Sequence, residues 1–152
     1  MLRSIGGEAY VVHDFKEIES IITEGFQHAK RIVSTYKELV SFEKMIDADD
    51  PHEFADVDLF ITTSNLAVAK NGALWITDEG LRARVLPFIS QQLAVIIKKE
   101  FIVATMHDAY DIIADADYGY AVFVAGPSKT ADIAQSLVLG AHGPKTMTVF
   151  II

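Results

Sequence analysis

The sequence predicts one α/β domain with a mostly parallel β-sheet in a three-layer arrangement. Short apolar runs alternate with amphipathic stretches along the 152-residue chain. The runs LAVII, AVFVA and TVFII lack the period-two alternation of half-exposed strands, which is typical of strands buried on both faces. Repeated strand–helix–strand order with such runs favours parallel pairing. Because residues 1–152 contain no internal repeat and no linker, we expect a single domain.

In the first half of the chain, the helix predicted at residues 14–28 has the clearest start. Asp14 is a typical N-cap and Glu17 stands three residues later, which is the spacing of a capping box. Apolar residues then recur at helical spacing. The other elements predicted here are strands at residues 9–12, 31–35 and 59–62, a second helix at 36–45, and an acidic loop at 47–56.

In the second half, residues 65–69 and 73–76 predict an antiparallel hairpin that turns at Lys70, Asn71 and Gly72. An apolar run marks each of the later strands, and polar residues open each of the later helices. These elements are a short helix or connection at residues 81–86, strands at 93–97, 120–124 and 146–152, and helices at 105–113 and 130–139.

Composition and charge exclude several classes of function. The net charge of −8 disfavours non-specific nucleic-acid binding, which depends on dense Lys/Arg patches, although one lysine can still attract an anionic ligand. There is no cysteine, so the chain forms no disulfide and holds no iron–sulfur cluster through thiolates. The apolar runs are too short for a membrane span or a secretion signal. We therefore expect a cytoplasmic protein.

The motif GPSKTAD at residues 126–132 is the first candidate ligand site. It joins a predicted strand to a predicted helix, and open α/β sheets bind ligands at the carboxyl ends of their strands. Amides at the helix start, the Lys129 ammonium and the hydroxyls of Ser128 and Thr130 would together bind a phosphate or carboxylate. Alternatively, a hydroxyl only caps the helix and Asp132 complements its dipole. The residues alone leave both interpretations open.

His142 lies in a second candidate motif, GAHGPK at residues 140–145. Glycines on either side of the His142 region let the backbone approach a ligand, and the imidazole can act as acid, base or donor. The alternative is a helix end, with Gly140 as the left-handed cap and Lys145 beside the dipole. A helix at 130–139 would hold the two motifs roughly 15 Å apart, so a shared site would need an extended ligand or a second chain.

Three further sets of polar residues are candidates for a ligand or metal site. The TTSN stretch at residues 62–65 supplies hydroxyls and an amide after a strand, although a capped turn explains it equally well. The acidic stretches at 47–49 and 115–117 open like calcium loops but lack the required glycine, and the histidines have no metal-ligand spacing, so no metal site is predicted. Asp132 and His142 are the candidates for a catalytic role. The predicted ligand-binding residues are Gly126, Ser128, Lys129, Thr130, Asp132, His142, Lys145, Thr62 and Asn65.

These motifs resemble those of the LUD-domain family. Its members typically carry Gly-Pro-Ser-(Arg/Lys)-Thr-Ala-Asp-Ile followed by Gly-(Val/Ala)-His-Gly-Pro, as at residues 126–133 and 140–144 here. The resemblance covers about residues 58–152. It implies a fold similar to sugar-phosphate isomerases and coenzyme A transferases. It also implies a role beside iron–sulfur partner proteins in the oxidation of L-lactate to pyruvate.

The chain departs from the family pattern in three places. Lys70 stands where an acidic residue is usual, and a coenzyme A transferase needs a glutamate nucleophile that lysine cannot replace. Ala134 stands where glutamate is common. The portion before the first strand is also shorter than the helical amino-terminal portion of many relatives.

The resemblance and the residues together predict a lactate-utilisation protein that binds a small anionic or nucleotide-like ligand at residues 126–132. No cofactor is evident in the chain itself. The first alternative is a non-catalytic assembly or interaction subunit, which Lys70 favours. The second is a sugar-phosphate isomerase or acyl-CoA transferase, which rests on analogy of fold alone. A homodimer is compatible with so small and apolar a chain.

Overall fold

The computed structural model describes residues 1–39, 41–44, 50–114, 116–131, 137–140 and 142–152. The strands are β1 (Glu8–Val11), β2 (Ile32–Ser34), β3 (Glu43–Lys44), β4 (Leu59–Thr63), β5 (Leu66–Val68), β6 (Ala73–Thr77), β7 (Gln92–Ile97), β8 (Ile102–Val103), β9 (Ala121–Val124), β10 (Lys129–Ala131), β11 (Leu137–Leu139) and β12 (Thr146–Ile151). The α-helices are α1 (Phe15–Gly25), α2 (Asp78–Leu81), α3 (Leu86–Ile89) and α4 (Met106–Ile113). None of the helices in these ranges is long and apolar enough to cross a bilayer.

The main sheet has the strand order β1-β12-β7-β4-β2-β3, and every neighbouring pair in it is parallel. Backbone pairing continues past the strand ends: Ser64 N donates to Ile96 O at 2.9 Å and Lys99 N donates to Ile152 O at 2.9 Å. Because the strands are parallel, their last residues lie along one edge, the carboxyl edge, and their first residues lie along the opposite amino edge. The predicted α/β fold with a mostly parallel sheet is confirmed.

Both faces of the parallel sheet are covered, as the central strand β7 shows. Leu93 and Val95 point into a core shared with the second sheet, whereas Ala94 and Ile96 point into a core shared with α1. These four side chains are at most 3% exposed. Burial on both faces explains why the run LAVII is apolar at every position.

The second sheet has the order β8-β5-β6-β9 and forms a further layer. Its hairpin β5–β6 turns at Gly72, which has φ 73°, and the Asn71 side chain accepts a hydrogen bond from Ala73 N at 3.1 Å, so the predicted hairpin is confirmed. Leu74 points toward the parallel sheet, while Trp75 points outward to pack with α4. Each face of this sheet therefore has its own core.

Two predicted helices are wrong. The helix predicted at 36–45 is not formed, because Glu43–Lys44 is the strand β3, paired parallel with β2. The helix predicted at 130–139 is not formed at either of its described ends, which lie in β10 and β11 and pair antiparallel with Lys129 opposite Leu139. Cross-strand pairing of apolar and β-branched side chains, such as Thr130 opposite Val138, outweighs the local helix signal there.

The strand predicted at 120–124 exists as β9 but does not join the parallel sheet. It pairs antiparallel with β6 at the edge of the second sheet, and its residues are only half-buried. It therefore runs from the carboxyl edge toward the amino edge, opposite to the direction of the parallel strands.

The two longer helices, α1 and α4, both begin at the predicted positions and are capped by side-chain hydrogen bonds. Asp14 Oδ1 accepts from Glu17 N at 2.9 Å, and the Glu17 carboxylate accepts from His13 N at 2.9 Å. In α4, Thr105 and Asp108 make a reciprocal capping box. Hydrogen bonds from the Thr105 side chain and backbone lower the pKa of Asp108 below its ordinary value.

The lowered pKa of Asp108 predicts a pH-dependent contribution to stability. The folded-state value lies below the unfolded one, so the contribution is complete above about pH 4 and is lost as pH falls through the folded value. We expect Asp108→Ala to lower the midpoint of urea unfolding at pH 7 and to have much less effect near pH 2.5. Asp111→Ala on the same helix is the control. An equal effect of Asp108→Ala at both pH values would contradict the prediction.

The backbone of Arg82 is strained, and substitutions at this position test the effect of that strain on stability. It has φ 58° and ψ −56°, and Ala83 N donates to Leu81 O at 2.6 Å, which is a γ-turn of the rare positive-φ type. We expect Arg82→Gly to raise the free energy of unfolding by about 1 kcal/mol, because glycine adopts positive φ without the Cβ clash. Urea unfolding measures the change. Arg82→Ala keeps the strain and should not stabilise, so stabilisation by alanine would refute the backbone explanation.

Candidate functional site

Two adjoining cavities, of about 610 and 330 Å³, open at the carboxyl edge of the parallel sheet. Both are lined by Tyr36, Lys98 and Ile152, which follow the ends of β2, β7 and β12. We call the two together the carboxyl-edge cleft. Its other lining residues are Phe15, Lys99, Glu100, Thr63, Ser64, Asn65, Ile96 and Phe101.

The end of β7 determines where the two lysines of the cleft, Lys98 and Lys99, lie. Lys98 follows the last buried residue of the central strand, and Ile152 N donates to Ile97 O at 3.0 Å, which fixes the end of that strand. Both lysine side chains are exposed at the cleft. The Lys98 ammonium lies 5.9 Å from the centre of the Phe101 ring, within the range of a cation–π contact. A pair of cations is therefore held at the edge where parallel sheets bind ligands.

Tyr36 provides a hydroxyl at the same edge. Its ring packs against Phe15 with centroids 5.2 Å apart, and its backbone N–H donates to Ser34 Oγ at 3.1 Å. Burial raises the pKa of Tyr36, and the negative charge of Glu38 raises it further. The phenol therefore stays protonated around neutral pH and can donate a hydrogen bond to an anion.

Of the two predicted residues at the end of β4 and just after it, Thr62 and Asn65, only Asn65 reaches the cleft. Thr62 is fully buried, and its hydroxyl donates to Gly80 O at 2.5 Å, which fastens α2 to the sheet. Thr35 Oγ1 donates to the same carbonyl at 2.9 Å. Asn65, in contrast, is exposed and lines the cleft beside Thr63. The structure therefore gives Thr62 a structural contact and leaves Asn65 available to a ligand.

The other predicted site residues that the structure describes lie at the amino edge. Lys145 precedes β12, and its N–H donates to Gln91 O, just before β7, at 2.8 Å. Ser128 N donates to Pro144 O at 2.8 Å, and Gly140 N donates to Ser128 O at 3.1 Å. We call this group, residues 126–131, 140 and 142–145, the amino-edge cluster.

The two motifs of the amino-edge cluster touch each other, so the predicted separation of about 15 Å is wrong. The hairpin β10–β11 folds the chain back on itself, whereas a helix would have held its ends apart. The Ser128 amide is already bonded to protein, and residues 129–131 form a strand, so the amides expected from a helix start are not presented there. Asp132 and Ala134 lie outside the described residues.

The cations of the amino-edge cluster face solvent. Lys129, His142 and Lys145 are exposed, and Thr130 is half-buried. A Cβ at Gly6 would lie 3.3 Å from the Lys129 ammonium nitrogen, so this side chain packs beside the amino-terminal segment. The structure thus brings Ser128, Lys129, His142 and Lys145 into one cluster and places Asn65 at the opposite edge of the sheet.

Sequence reasoning missed Tyr36, Lys98 and Lys99. The sequence contains a signal for the lysines, because they directly follow the apolar run LAVII and so had to lie at a strand's carboxyl end. Tyr36 had a weaker signal, since it was assigned to a helix that does not form.

The site and the fold together define an α/β protein with a ligand-sized cleft at the carboxyl edge of a parallel sheet. The chain belongs to the LUD domain family, whose sequence pattern matches residues 1–152. It is 34% identical over 113 residues to lactate utilization protein C 1 of Bacillus mycoides (strain KBAB4), covering 70% of this chain and 48% of that relative. It is 31% identical over 93 residues to lactate utilization protein C of Anoxybacillus flavithermus (strain DSM 21510 / WK1), covering 60% and 42%.

A solved structure supports the fold independently. The crystal structure of a DUF162 family protein from Deinococcus radiodurans superimposes with a TM-score of 0.70 at 17% identity, covering 99% of this chain and 90% of that one. The curated relatives, however, are longer, and the matched segment spans about half their length.

The close packing of the amino-edge cluster predicts contrasting effects of alanine at two glycines. Gly126 has φ 73°, and a Cβ there would lie 3.1 Å from the Ile5 side chain, whereas a Cβ at Gly25 meets nothing within 4 Å. We expect Gly126→Ala to destabilise the protein by about 1–3 kcal/mol and Gly25→Ala, at the end of α1, to stabilise it by about 0.5 kcal/mol. Urea unfolding compares the two. Equal effects would show that the cluster does not require glycine.

Proposed function

We propose that this chain is a cytoplasmic component of lactate utilisation that binds a small anionic ligand in the carboxyl-edge cleft. The names of its relatives support the pathway. The observation that supports the ligand class is the pair of exposed lysines, Lys98 and Lys99, at the end of the central buried strand in a chain of net charge −8. Local positive charge at that edge stands out against the acidic chain and would select an anion.

The residues around the lysines suit a carboxylate or a nucleotide-like ligand. Lys98 would neutralise the anion, and the Tyr36 phenol and the Asn65 amide would donate hydrogen bonds to it. Phe15 and Ile152 would contact the apolar part of the ligand. A mainly apolar cleft with a few polar groups that fix orientation is the usual form of a small-molecule site.

The proposed role beside iron–sulfur partner proteins rests on the family resemblance and is compatible with the chemistry of lactate oxidation. Conversion of lactate to pyruvate releases two electrons and two protons, and a chain without cysteine cannot hold a thiolate-bound cluster to accept those electrons. The acceptor would be a bound nucleotide-type cofactor or a cluster of a partner. This chain would contribute the binding of an anion.

A non-catalytic assembly subunit is the second candidate, and Lys70 is the observation that favours it. Lys70 is exposed in the β5–β6 turn, where its N–H donates to Ala104 O at 3.1 Å, and it offers no carboxylate for an acyl intermediate. In this role the chain would stabilise its iron–sulfur partners and bind no small molecule.

Thermal-shift measurements with two lysine variants test the proposed ligand site. The panel holds lactate, pyruvate, phosphate, nicotinamide and flavin nucleotides, coenzyme A and sugar phosphates. A ligand at about 100 times its Kd adds roughly 2.7 kcal/mol, which appears as a rise of several degrees in Tm. We expect Lys98→Ala to weaken that ligand about tenfold, because a charge-assisted hydrogen bond is lost, while Lys129→Ala leaves it unchanged.

The two variants make the outcomes distinct. A shift that Lys129→Ala abolishes and Lys98→Ala retains would move the ligand to the amino-edge cluster, where Lys129, His142 and Lys145 are exposed. If the wild-type protein shows no shift with any compound, ligand binding is contradicted, and co-purification with iron–sulfur proteins becomes the test of the assembly role.

A further inference from the structure

A second cavity, of about 410 Å³, adjoins the carboxyl-edge cleft at Asn65 and lies between the second sheet, the start of α2 and the end of α4. Trp75 and Tyr118 line it with their ring centroids 5.2 Å apart and their planes at 86°. Ile112 and Ile113 add apolar surface from α4. The volume is within the usual range of about 300–1,000 Å³ for small-molecule sites. This cavity has a composition quite unlike that of the carboxyl-edge cleft.

The charge of the cavity is negative. Asp78, Glu79 and Asp117 line it, and none of the described residues that line it is Lys or Arg. Asp78 is paired with Arg84, whose Nε and Nη2 donate to the two carboxylate oxygens at 2.9 and 3.1 Å. The charges of Glu79 and Asp117 are the ones left to face the cavity, and they disfavour the anion proposed for the cleft.

The loop that carries Tyr118 is held in place by the Asp78–Arg84 pair. A Cβ at Gly119 would lie 2.8 Å from Asp78 Oδ2, so only glycine lets the loop approach this carboxylate so closely. Asp78 N donates to Tyr120 O at 2.9 Å, and the Arg84 guanidinium carbon lies 5.0 Å from the centre of the Tyr120 ring. The wall formed by Tyr118 is thus anchored through the two residues that follow it, which preorganises the cavity.

We propose that this cavity binds a small organic cation, of the alkylammonium class. The face of the partly exposed Tyr118 ring would contact the cation, Ile112 would contact its alkyl groups, and the carboxylates of Glu79 and Asp117 would balance the charge. Aromatic surface combined with carboxylates attracts soft, weakly hydrated cations, because both the ring quadrupole and the charge favour them. A metal ion would instead need a set of converging oxygen ligands.

Trp75 makes the proposal directly measurable, because it is the one tryptophan of the chain and lines the cavity. Choline is the probe, and its uncharged isostere 3,3-dimethylbutan-1-ol is the matched control ligand. We expect choline to change Trp75 fluorescence in a saturable way and the neutral isostere to bind at least fivefold more weakly. Sodium chloride at equal ionic strength should give no saturable change. Equal responses to choline and the isostere, or to choline and sodium, would overturn the proposal.

Two sets of variants separate binding in the cavity from general charge effects. Glu79→Gln combined with Asp117→Asn should weaken choline at least fivefold and leave the weak binding of the isostere unchanged. Tyr118→Leu should weaken choline about threefold or more. Glu24→Gln, in α1 on the far side of the parallel sheet, changes the same kind of charge and should have no effect. A loss of binding in Glu24→Gln equal to that in the cavity variants would refute the site.

The proposals of a cation site and of an anion site can be refuted independently of each other. Lys98→Ala should leave choline binding unchanged, because Lys98 lines only the cleft. If wild-type fluorescence does not respond to choline while the thermal shift with an anion persists, the cation site is refuted and the proposed function stands.

Discussion

The pairing of β7 between β12 and β4 is the constraint on which the rest of this molecule depends. β7 is in register with β12 along six residues and with β4 along five, and from Leu93 to Ile97 it is almost fully buried. Every hydrogen bond of its central backbone is therefore made inside the protein, and each face of the strand fills a different core. Loss of this strand would expose both cores at once.

The same strand determines where chemistry is available. Because β7 is covered on both faces, its side chains can meet a ligand only beyond its ends. Lys98 and Lys99 emerge at one end and Gln92 lies at the other, so β7 presents its cations at the carboxyl edge. The second sheet has a different consequence: its outer face, covered by α4, leaves an acidic, aromatic cavity beside Trp75. Two surfaces of opposite charge thus arise from two layers of the same fold.

Local patterns predicted the elements that depend on neighbours in the chain. The α1 start at Asp14, the turn at Gly72 and the α4 start at Thr105 were all predicted, because each depends on residues within a few positions of one another. The choice of sheet was not readable in the same way. AVFV and LAVII look alike as sequences, yet the first pairs antiparallel at the edge of the second sheet and the second occupies the centre of the parallel sheet. That choice depends on long-range pairing, which no local window contains.

The dependence on long-range pairing also explains why the geometry of the GPSKT and histidine motifs was predicted wrongly. The GPSKT motif was interpreted as the start of a helix, and from that assignment followed free amides, a carboxyl-edge position and a distant histidine. In the structure the segment after Pro127 is a strand, so Ser128 is bonded to Pro144 and the histidine motif lies beside it. The family motif is thus a packing unit that joins the amino-terminal segment, a hairpin and the start of β12. Its exposed cations, Lys129, His142 and Lys145, line none of the cavities formed by the described residues, whereas Lys98 lines the carboxyl-edge cleft. A concave cleft offers a ligand contacts from several sides, and for this reason we propose the cleft, and not the amino-edge cluster, as the anion site.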